Sequence, residues 1–209
     1  MVVEQEFADL YLLTEERLLP YLSDTDCGDC GYSCCIALAE ALLARTAEAG
    51  RCSQLESRMA VVMDVLIRSE APVLPYNVMM ENFAPGLVRL GSPEPHSPVL
   101  VTCNFRETVR LLEQIANLAS MDAFLLMSDT KGYSVDNAVV EKRFTPFEIV
   151  KVINETEIGS SVDHRRLLIP GLAGHLASQI KQITGWEIVV GPVSGFEIPL
   201  FVLKGGWSI

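Results

Sequence analysis

Ser97-Pro98-Val99-Leu100-Val101-Thr102-Cys103-Asn104-Phe105 is where the texture of this 209-residue chain changes. Val99-Leu100-Val101-Thr102 reads as a short apolar strand, and 106–119 follows it with helical spacing. Ala123-Phe124-Leu125-Leu126-Met127 is a second apolar run. Helical patterns over 135–142 and 146–155 precede a third strand at 166–169. A further helix, 172–183, ends near Gly185, and Trp186-Glu187-Ile188-Val189-Val190 makes a fourth strand. Unbroken apolar strands separated by helices predict a parallel sheet covered on both faces. Such sheets bind ligands beyond the carboxyl ends of their strands. Those ends are Cys103-Asn104, 128–132, Pro170-Gly171 and Gly191-Pro192.

Upstream the reading is different. Pro72, Pro75, Pro85, Gly86, Pro93, Pro95 and Pro98 break the chain repeatedly, so 71–97 reads as linker or irregular cover. Before it, Leu55, Met59, Val62 and Leu66 follow a helical spacing, as do Phe7, Leu10, Leu13 and Leu18 across 4–19. Between these two helices lie Cys27, Cys30, Cys35 and Cys52, in the pattern C-x2-C-x4-C-x16-C. The first three of these cysteines fall within nine residues, too tight for a disulfide framework but suited to a loop wrapping thiolates around one inorganic centre. Gly28 and Gly31 directly follow the first two, where a backbone without Cβ turns sharply and aims N–H groups at sulfur. A helix over 36–49, stopped by Gly50, carries the chain to Cys52. An iron–sulfur cluster is the strongest inference from this spacing. Zinc also accepts four thiolates, but structural zinc sites usually pair two C-x2-C knuckles and one is present here. A thioredoxin-like C-x-x-C needs a βαβ context, and the segment before Cys27 looks helical. Cys34 and Cys103 read as small buried hydrophobes.

Composition bounds the function. The chain is 49% hydrophobic and 21% charged, with 16 basic and 27 acidic residues and a formal charge of −11. That is a globular composition, and its sign argues against nucleic acid. No apolar run reaches the ~18 residues of a membrane span, and Met1-Val2-Val3-Glu4 lacks a basic leader. A cytoplasmic location with reduced thiols is therefore expected. Residues 1–26 hold seven acids against Arg17 alone, and carboxylates near an anionic cluster make adding an electron harder. The plain alternative, a solvated acidic face, is compatible with this.

The stretch from Leu18-Leu19-Pro20-Tyr21-Leu22 to Cys52 resembles the small iron–sulfur domain of two settings. One is the large (gamma) subunit of the corrinoid/iron–sulfur protein of the acetyl-CoA synthase/decarbonylase system. The other is a subunit of membrane-linked electron-transport complexes. A second piece, about 97–203, favours the first setting. It opens on 97–105 and continues through Asp129-Thr130-Lys131-Gly132-Tyr133-Ser134-Val135, Val162-Asp163-His164-Arg165, Ile169-Pro170-Gly171-Leu172 and 185–192. These segments resemble the corrinoid protein's C-terminal domain in matching order.

The resemblance implies a [4Fe–4S] cluster held by Cys27, Cys30, Cys35 and Cys52. It also implies a corrinoid (cobamide) contacted by Gly132, Tyr133, Ser134, Val135, Asn137, Ala138, Ile169, Pro170, Gly171, Leu172, Gly191 and Pro192. Asn137 falls where a residue would face cobalt from below, and reads equally as an ordinary polar helix residue. The implied role is to carry a methyl group on cobalt and to restore cobalt after accidental oxidation, within the acetyl-CoA pathway. That makes the chain a redox and methyl-transfer component rather than a self-sufficient enzyme. A TIM-barrel corrinoid subunit or methyltransferase is the implied partner. The expected fold is α/β: a helical iron–sulfur domain over 1–60, a helix end and Pro-rich linker over 61–97, and a Rossmann-like corrinoid-binding domain over 98–209. The alternative is an iron–sulfur electron-transfer or interaction module that no longer binds corrinoid.

Two departures stand out. The family places a TIM-barrel domain between its cluster and corrinoid domains, and 53–97 is too short to contain one. The family's Ala- and Gly-rich segment after Ser-Val reads here as Asp136-Asn137-Ala138-Val139-Val140-Glu141-Lys142-Arg143, bulkier and more charged. No D-x-H-x-x-G motif offers a histidine below cobalt, and omitting an axial nitrogen eases cobalt reduction. His96, His164 and His175 share no metal-ligand spacing, and Asp129 reads as a helix cap. No nucleophilic triad, Walker motif or Rossmann glycine fingerprint is present.

Overall fold

The computed structural model describes residues 12–69, 82–205 and Trp207. The chain divides into two compact units. The described residues of 1–72 and 194–206 form the first, and those of 73–193 with Trp207 form the second.

The second unit is built on β2 (Val99–Cys103) and β3 (Ala123–Ser128), whose residues are buried throughout. Being covered on both faces explains why they read as unbroken apolar runs. The sheet adds β1 (Gly86–Leu90), β4 (Arg166–Ile169) and β5 (Glu187–Val190) in the order β1-β3-β2-β4-β5. The strands pair in parallel except β1, which runs antiparallel along β3 from Gly86↔Met127 to Leu90↔Ala123. The helix after β2, Arg106–Ala119, leads to one side of the sheet; the chain then returns past β2 to β4 and continues to β5. Connections therefore diverge from a switch point between β2 and β4, the doubly wound arrangement expected of a Rossmann-like sheet. One face packs Val99, Val101, Phe124, Leu126, Leu167 and Ile169 against Ile149, Val152 and Ile153 of Pro146–Thr156 and Ile180 of Ala177–Thr184.

Local chemistry sets the helix ends. Thr145-Pro146-Phe147-Glu148 starts one helix, with the Thr145 hydroxyl accepting the Glu148 N–H at 3.3 Å and Pro146 in the first turn. Arg106–Ala119 ends where Ser120 turns left-handed (φ 48°), with the Met121 N–H reaching back to the Ala116 carbonyl at 2.8 Å.

The first unit is helical. Glu15–Leu18 runs into a 3-10 turn at Leu19–Tyr21, followed by Cys35–Leu43, a 3-10 turn at Ala49–Arg51, and Ser57–Arg68. Its core is Leu18, Leu38, Leu42, Met59, Met63 and Leu66, and Leu200 and Val202 of the C-terminal helix Ile198–Lys204 are buried too.

The boundaries drawn from sequence differ from these units at three places. Gly86–Leu90 lies inside the stretch expected as linker, framed by Pro85 and Gly91, which made a five-residue strand look irregular. At Gly91 (φ +64°) a Cβ would meet the Asp122 Oδ1 at 2.0 Å, so the turn leaving β1 requires glycine. The helix after Cys35 stops at Leu43 instead of 49. Arg45 adopts φ 59°, and the Thr46 N–H bonds the Ala41 carbonyl at 2.9 Å, closing the helix without a glycine. Finally, 194–205 groups with the first unit rather than with 98–193. Tyr21 donates to Glu197 Oε2 at 3.2 Å, and Lys204 Nζ donates to the Pro20 carbonyl. Such long-range pairing leaves no mark on local periodicity. Residues 4–11 and 70–81, read from sequence as helix and as linker, lie outside the described residues.

Candidate metal centre and ligand cradle

The cysteine loop is built from residues that tolerate left-handed backbone. Asp24, Asp26, Gly28 and Gly31 have φ of 51°, 46°, 75° and 87°, and the Gly31 N–H closes a turn on the Gly28 carbonyl at 2.9 Å. Asp26 Oδ1 accepts the Cys35 N–H at 2.6 Å and thereby caps the helix that Cys35 begins. Cys27 is exposed, Cys30 half-buried, and Cys35 and Cys52 buried. Ser53, after Cys52, donates its hydroxyl to Asp29 Oδ2, before Cys30, at 3.4 Å, which ties the fourth cysteine's segment to the loop. The Ser23 hydroxyl lies 3.8 Å from the Cys35 sulfur. Among the described residues, no three His, Cys, Asp or Glu side chains form a metal-ligating group. The donor set itself, four thiols on a turn-rich loop and its neighbour, has the chemistry an iron–sulfur cluster uses. An apolar cavity of about 410 Å³ in the same unit, lined by Leu43, Leu66, Ile67 and Phe196, involves no cysteine.

The two remaining cysteines divide. Cys103 is fully buried on β2, and burial pushes its thiol up, as a small core hydrophobe requires. Cys34 is half-buried rather than buried, and the Ser33 hydroxyl points at its sulfur at 3.9 Å.

In the second unit, the loops after β3, β4 and β5 meet at the carboxyl end of the sheet. Val135–Val140, carrying Asn137 and Ala138, packs against the 3-10 turn Gly171–Leu176. The Gly171 N–H donates to the Pro192 carbonyl at 3.0 Å, and the Gly191 N–H to the Ile169 carbonyl at 2.9 Å. A Cβ on Gly171 would meet the Gly191 oxygen at 2.8 Å and the Pro192 carbonyl carbon at 2.9 Å, so these loops touch only because position 171 is glycine. The segments named from sequence, 132–138, 169–172 and 191–192, are thus one cluster. Within it Ala138 is buried, while Asn137 is exposed and donates to the Ser134 hydroxyl at 3.0 Å. Ser134 in turn donates to Asp136 Oδ1. Val140 is 76% exposed.

Sequence reasoning placed Asn104 at a strand's carboxyl end but gave no role to this residue, which organises the end. Asn104, 1% exposed, follows β2. Its Oδ1 accepts from the Thr130 N–H at 3.0 Å, the Thr130 hydroxyl at 2.9 Å and the Gly132 N–H at 3.2 Å. Its Nδ2 donates to the Phe83 carbonyl at 3.0 Å. The single Thr130 proton is shared with the Tyr133 carbonyl at 2.8 Å. Lys131 (φ 60°) and Gly132 (φ 80°) are both left-handed, a geometry that elsewhere leaves amides free to cradle anions. Here the Gly132 amide already faces Asn104, as does that of Thr130, and the Lys131 amide donates to Asp129 Oδ1 at 3.1 Å. A polar residue at a strand's carboxyl end was the available signal. Asp129 is held below the usual carboxylate range: burial pushes it up, but hydrogen bonds from the Lys131 side chain and backbone outweigh this.

The histidines behave as surface or structural groups. His164 accepts the Arg166 N–H on Nδ1 at 3.2 Å, which leaves Nε2 to donate to the Ser97 carbonyl at 3.0 Å, at the amino end of the sheet. His96 and His175 are exposed.

A helical four-thiol region ahead of a parallel-dominated, doubly wound sheet defines a two-part α/β protein of the iron–sulfur kind. Residues 22–54, which include all four cysteines, match a family model described as "Putative Fe-S cluster". Residues 77–202 match the model for the CO dehydrogenase/acetyl-CoA synthase delta subunit, and the chain belongs to that family. It is 40% identical over 122 residues to the acetyl-CoA decarbonylase/synthase complex subunit gamma of Methanopyrus kandleri, covering 58% of this chain and 26% of the relative. The corresponding subunit of Archaeoglobus fulgidus is 37% identical over 114 residues, covering 54% and 24%. The corrinoid/iron-sulfur protein large subunit of Moorella thermoacetica is 33% identical over 115 residues, covering 55% and 26%. These matches bear out the resemblance read from the sequence. The chain spans about a quarter of the length of these relatives. Among the described residues no helix is long and apolar enough to cross a membrane.

Proposed function

We propose that this chain is a cytoplasmic electron carrier of the corrinoid/iron–sulfur type. The first unit would hold a [4Fe–4S] cluster and the carboxyl end of the second unit's sheet a base-off cobamide. The observation that carries the reading is the convergence of 132–138, 169–172 and 191–192 into one cradle, behind a region that a cluster family model matches. When bound, the cluster would supply single electrons and the cobamide a metal that accepts electrons and carries a methyl group. Cys27, Cys30, Cys35 and Cys52 would hold the cluster, with Cys35 and Cys52 buried to limit water and Cys27 exposed toward a donor. Gly132, Tyr133, Ser134, Val135 and Ala138 would line one side of the cobamide site, and Ile169, Pro170, Gly171, Leu172, Gly191 and Pro192 the other. Asn137, whose Nδ2 donates to the Ser134 hydroxyl at 3.0 Å, would stand on the helix beside the cobamide. The relatives are named as subunits of acetyl-CoA decarbonylase/synthase complexes, so a partner subunit is expected. We propose a TIM-barrel corrinoid subunit or methyltransferase in that place, with methyl transfer as the shared reaction.

A second reading, an iron–sulfur electron-transfer or interaction module without corrinoid, has one observation in its favour. Val140 stands exposed beside Glu141 on the helix a flat macrocycle would have to approach. One anaerobic experiment separates the two. Purified protein should contain four irons and four sulfides per chain by order of magnitude, and hydroxocobalamin should shift toward a base-off spectrum on binding. Iron without any corrinoid binding, even with TIM-barrel partners added, supports the second reading. Colourless protein that resists reconstitution refutes both.

A further inference from the structure

We infer that Asn104 is the positioning residue that sets the loop 129–133 in its ligand-binding shape. The inference deepens the proposed function and, in its ligand half, rests on it. The loop turns through two consecutive left-handed residues, Lys131 and Gly132, and its internal bonds are local: the Lys131 N–H to Asp129 Oδ1 at 3.1 Å and the Thr130 hydroxyl to the Tyr133 carbonyl at 2.8 Å. The Tyr133 N–H to Thr130 carbonyl bond, at 3.2 Å, closes the turn but does not fix where it stands on the sheet. Asn104 does. Its oxygen collects the amides of Thr130 and Gly132 and the Thr130 hydroxyl, and its NH₂ group is held by the Phe83 carbonyl. The Phe83 N–H returns a bond to the Asn104 carbonyl at 2.9 Å, so the side chain is anchored from the segment that leads into β1. Buried amides that find one fixed acceptor are strongly oriented, because leaving them unmade is costly. Gly132, Tyr133 and Ser134 follow directly and lead into the helix that packs on Gly171–Leu176. Asn104 touches no ligand itself; it acts through that loop.

Both ends of the Asn104 amide are used, the oxygen by the loop and the NH₂ group by the Phe83 carbonyl. Aspartate keeps the acceptor and loses the donor to Phe83, whereas alanine loses both. The test compares wild type, Asn104→Ala and Asn104→Asp by amide hydrogen exchange and by anaerobic titration with hydroxocobalamin. In Asn104→Ala the amides of Thr130 and Gly132 should exchange at least about tenfold faster. Its hydroxocobalamin affinity should fall about tenfold or more, with the base-off spectrum weakened. Asn104→Asp should keep both amides protected and restore most of the affinity, a rescue that loss of packing alone would not show. Unchanged affinity in a folded Asn104→Ala whose amides exchange freely overturns the inference, as does unchanged exchange. If Asn104→Ala does not fold, free exchange at Thr130 and Gly132 in a folded Asn104→Asp overturns it instead. Wild type that binds no hydroxocobalamin sinks the proposed function and the ligand half together, while exchange still decides whether Asn104 holds the loop.

Discussion

The two candidate cofactor regions of this molecule are prepared in opposite ways. At the carboxyl end of the sheet, loops are fixed by the chain itself: Asn104 holds 130–132, and Gly171 admits the backbone of Gly191-Pro192. In the cysteine loop, four residues between 24 and 31 are left-handed, and among the described residues no three candidate ligands are gathered into one group. The first arrangement is pre-organised, which lowers the ordering a ligand must impose. The second would gain its organisation from the cluster proposed for it, as metal sites coupled to folding do. Stability should therefore respond to iron in one unit and to loop packing in the other.

The largest effects should come from the cysteines. Cys35→Ser and Cys52→Ser should each lower iron retention about tenfold or more, whereas Cys34→Ser should leave it within about twofold. Both tryptophans, Trp186 and Trp207, belong to the second unit, so their fluorescence reports that unit alone. Chelating the iron should bring forward only that part of the helical far-ultraviolet transition which the tryptophan signal does not follow, and leave the tryptophan transition in place. A common shift of both signals would break the contrast between the regions. Next, Gly171→Ala should cost about 1–3 kcal/mol, because its Cβ would meet the Gly191 oxygen at 2.8 Å and backbone cannot yield cheaply. Denaturant unfolding followed by tryptophan fluorescence checks this. Thr145→Ala should cost about 1 kcal/mol through loss of the helix cap, by the same measurement.

Much of the second unit was legible beforehand, and the reasons are local. Arg106–Ala119 and Arg166–Ile169 fall on the residues read from periodicity, since apolar spacing and burial there coincide. The order of strands was not legible: the return of the chain past β2 to β4 is a long-range choice. Nor was β1, hidden between Pro85 and Gly91. The cradle's members followed from the family resemblance, and local pattern by itself marked Pro170-Gly171 and Gly191-Pro192 as turns at strand ends. Asn104 escaped because its role lies in four bonds to residues 21 to 28 positions away. The early end of the cysteine-bearing helix escaped because Arg45, not glycine, takes the left-handed position.

The last expectation concerns Glu197, where the C-terminal segment enters the first unit. Burial raises its carboxyl above the ordinary value of 4.5, and Arg17, the Tyr21 hydroxyl and the Ser194 backbone oppose this without overcoming it. Arg17 Nε stands 3.7 Å away, too far to offset the loss of water. A carboxyl raised by folding binds more protons in the native state than in the unfolded chain. Its contribution is therefore full below about pH 4.5 and is lost as pH climbs through the raised value. Glu197→Gln cannot titrate, so the stability difference, wild type minus variant, should shrink or change sign between pH 4 and pH 7.5 in anaerobic denaturant melts. The phenol of Tyr21 supplies a second readout in the same variant. Burial first, then the neighbouring carboxylate, push it well above the usual range. Removing the charge should bring its alkaline titration down while burial keeps it elevated. A stability difference that does not change with pH would mean that water reaches Glu197, and that the C-terminal segment is not packed against the cysteine-bearing unit in solution.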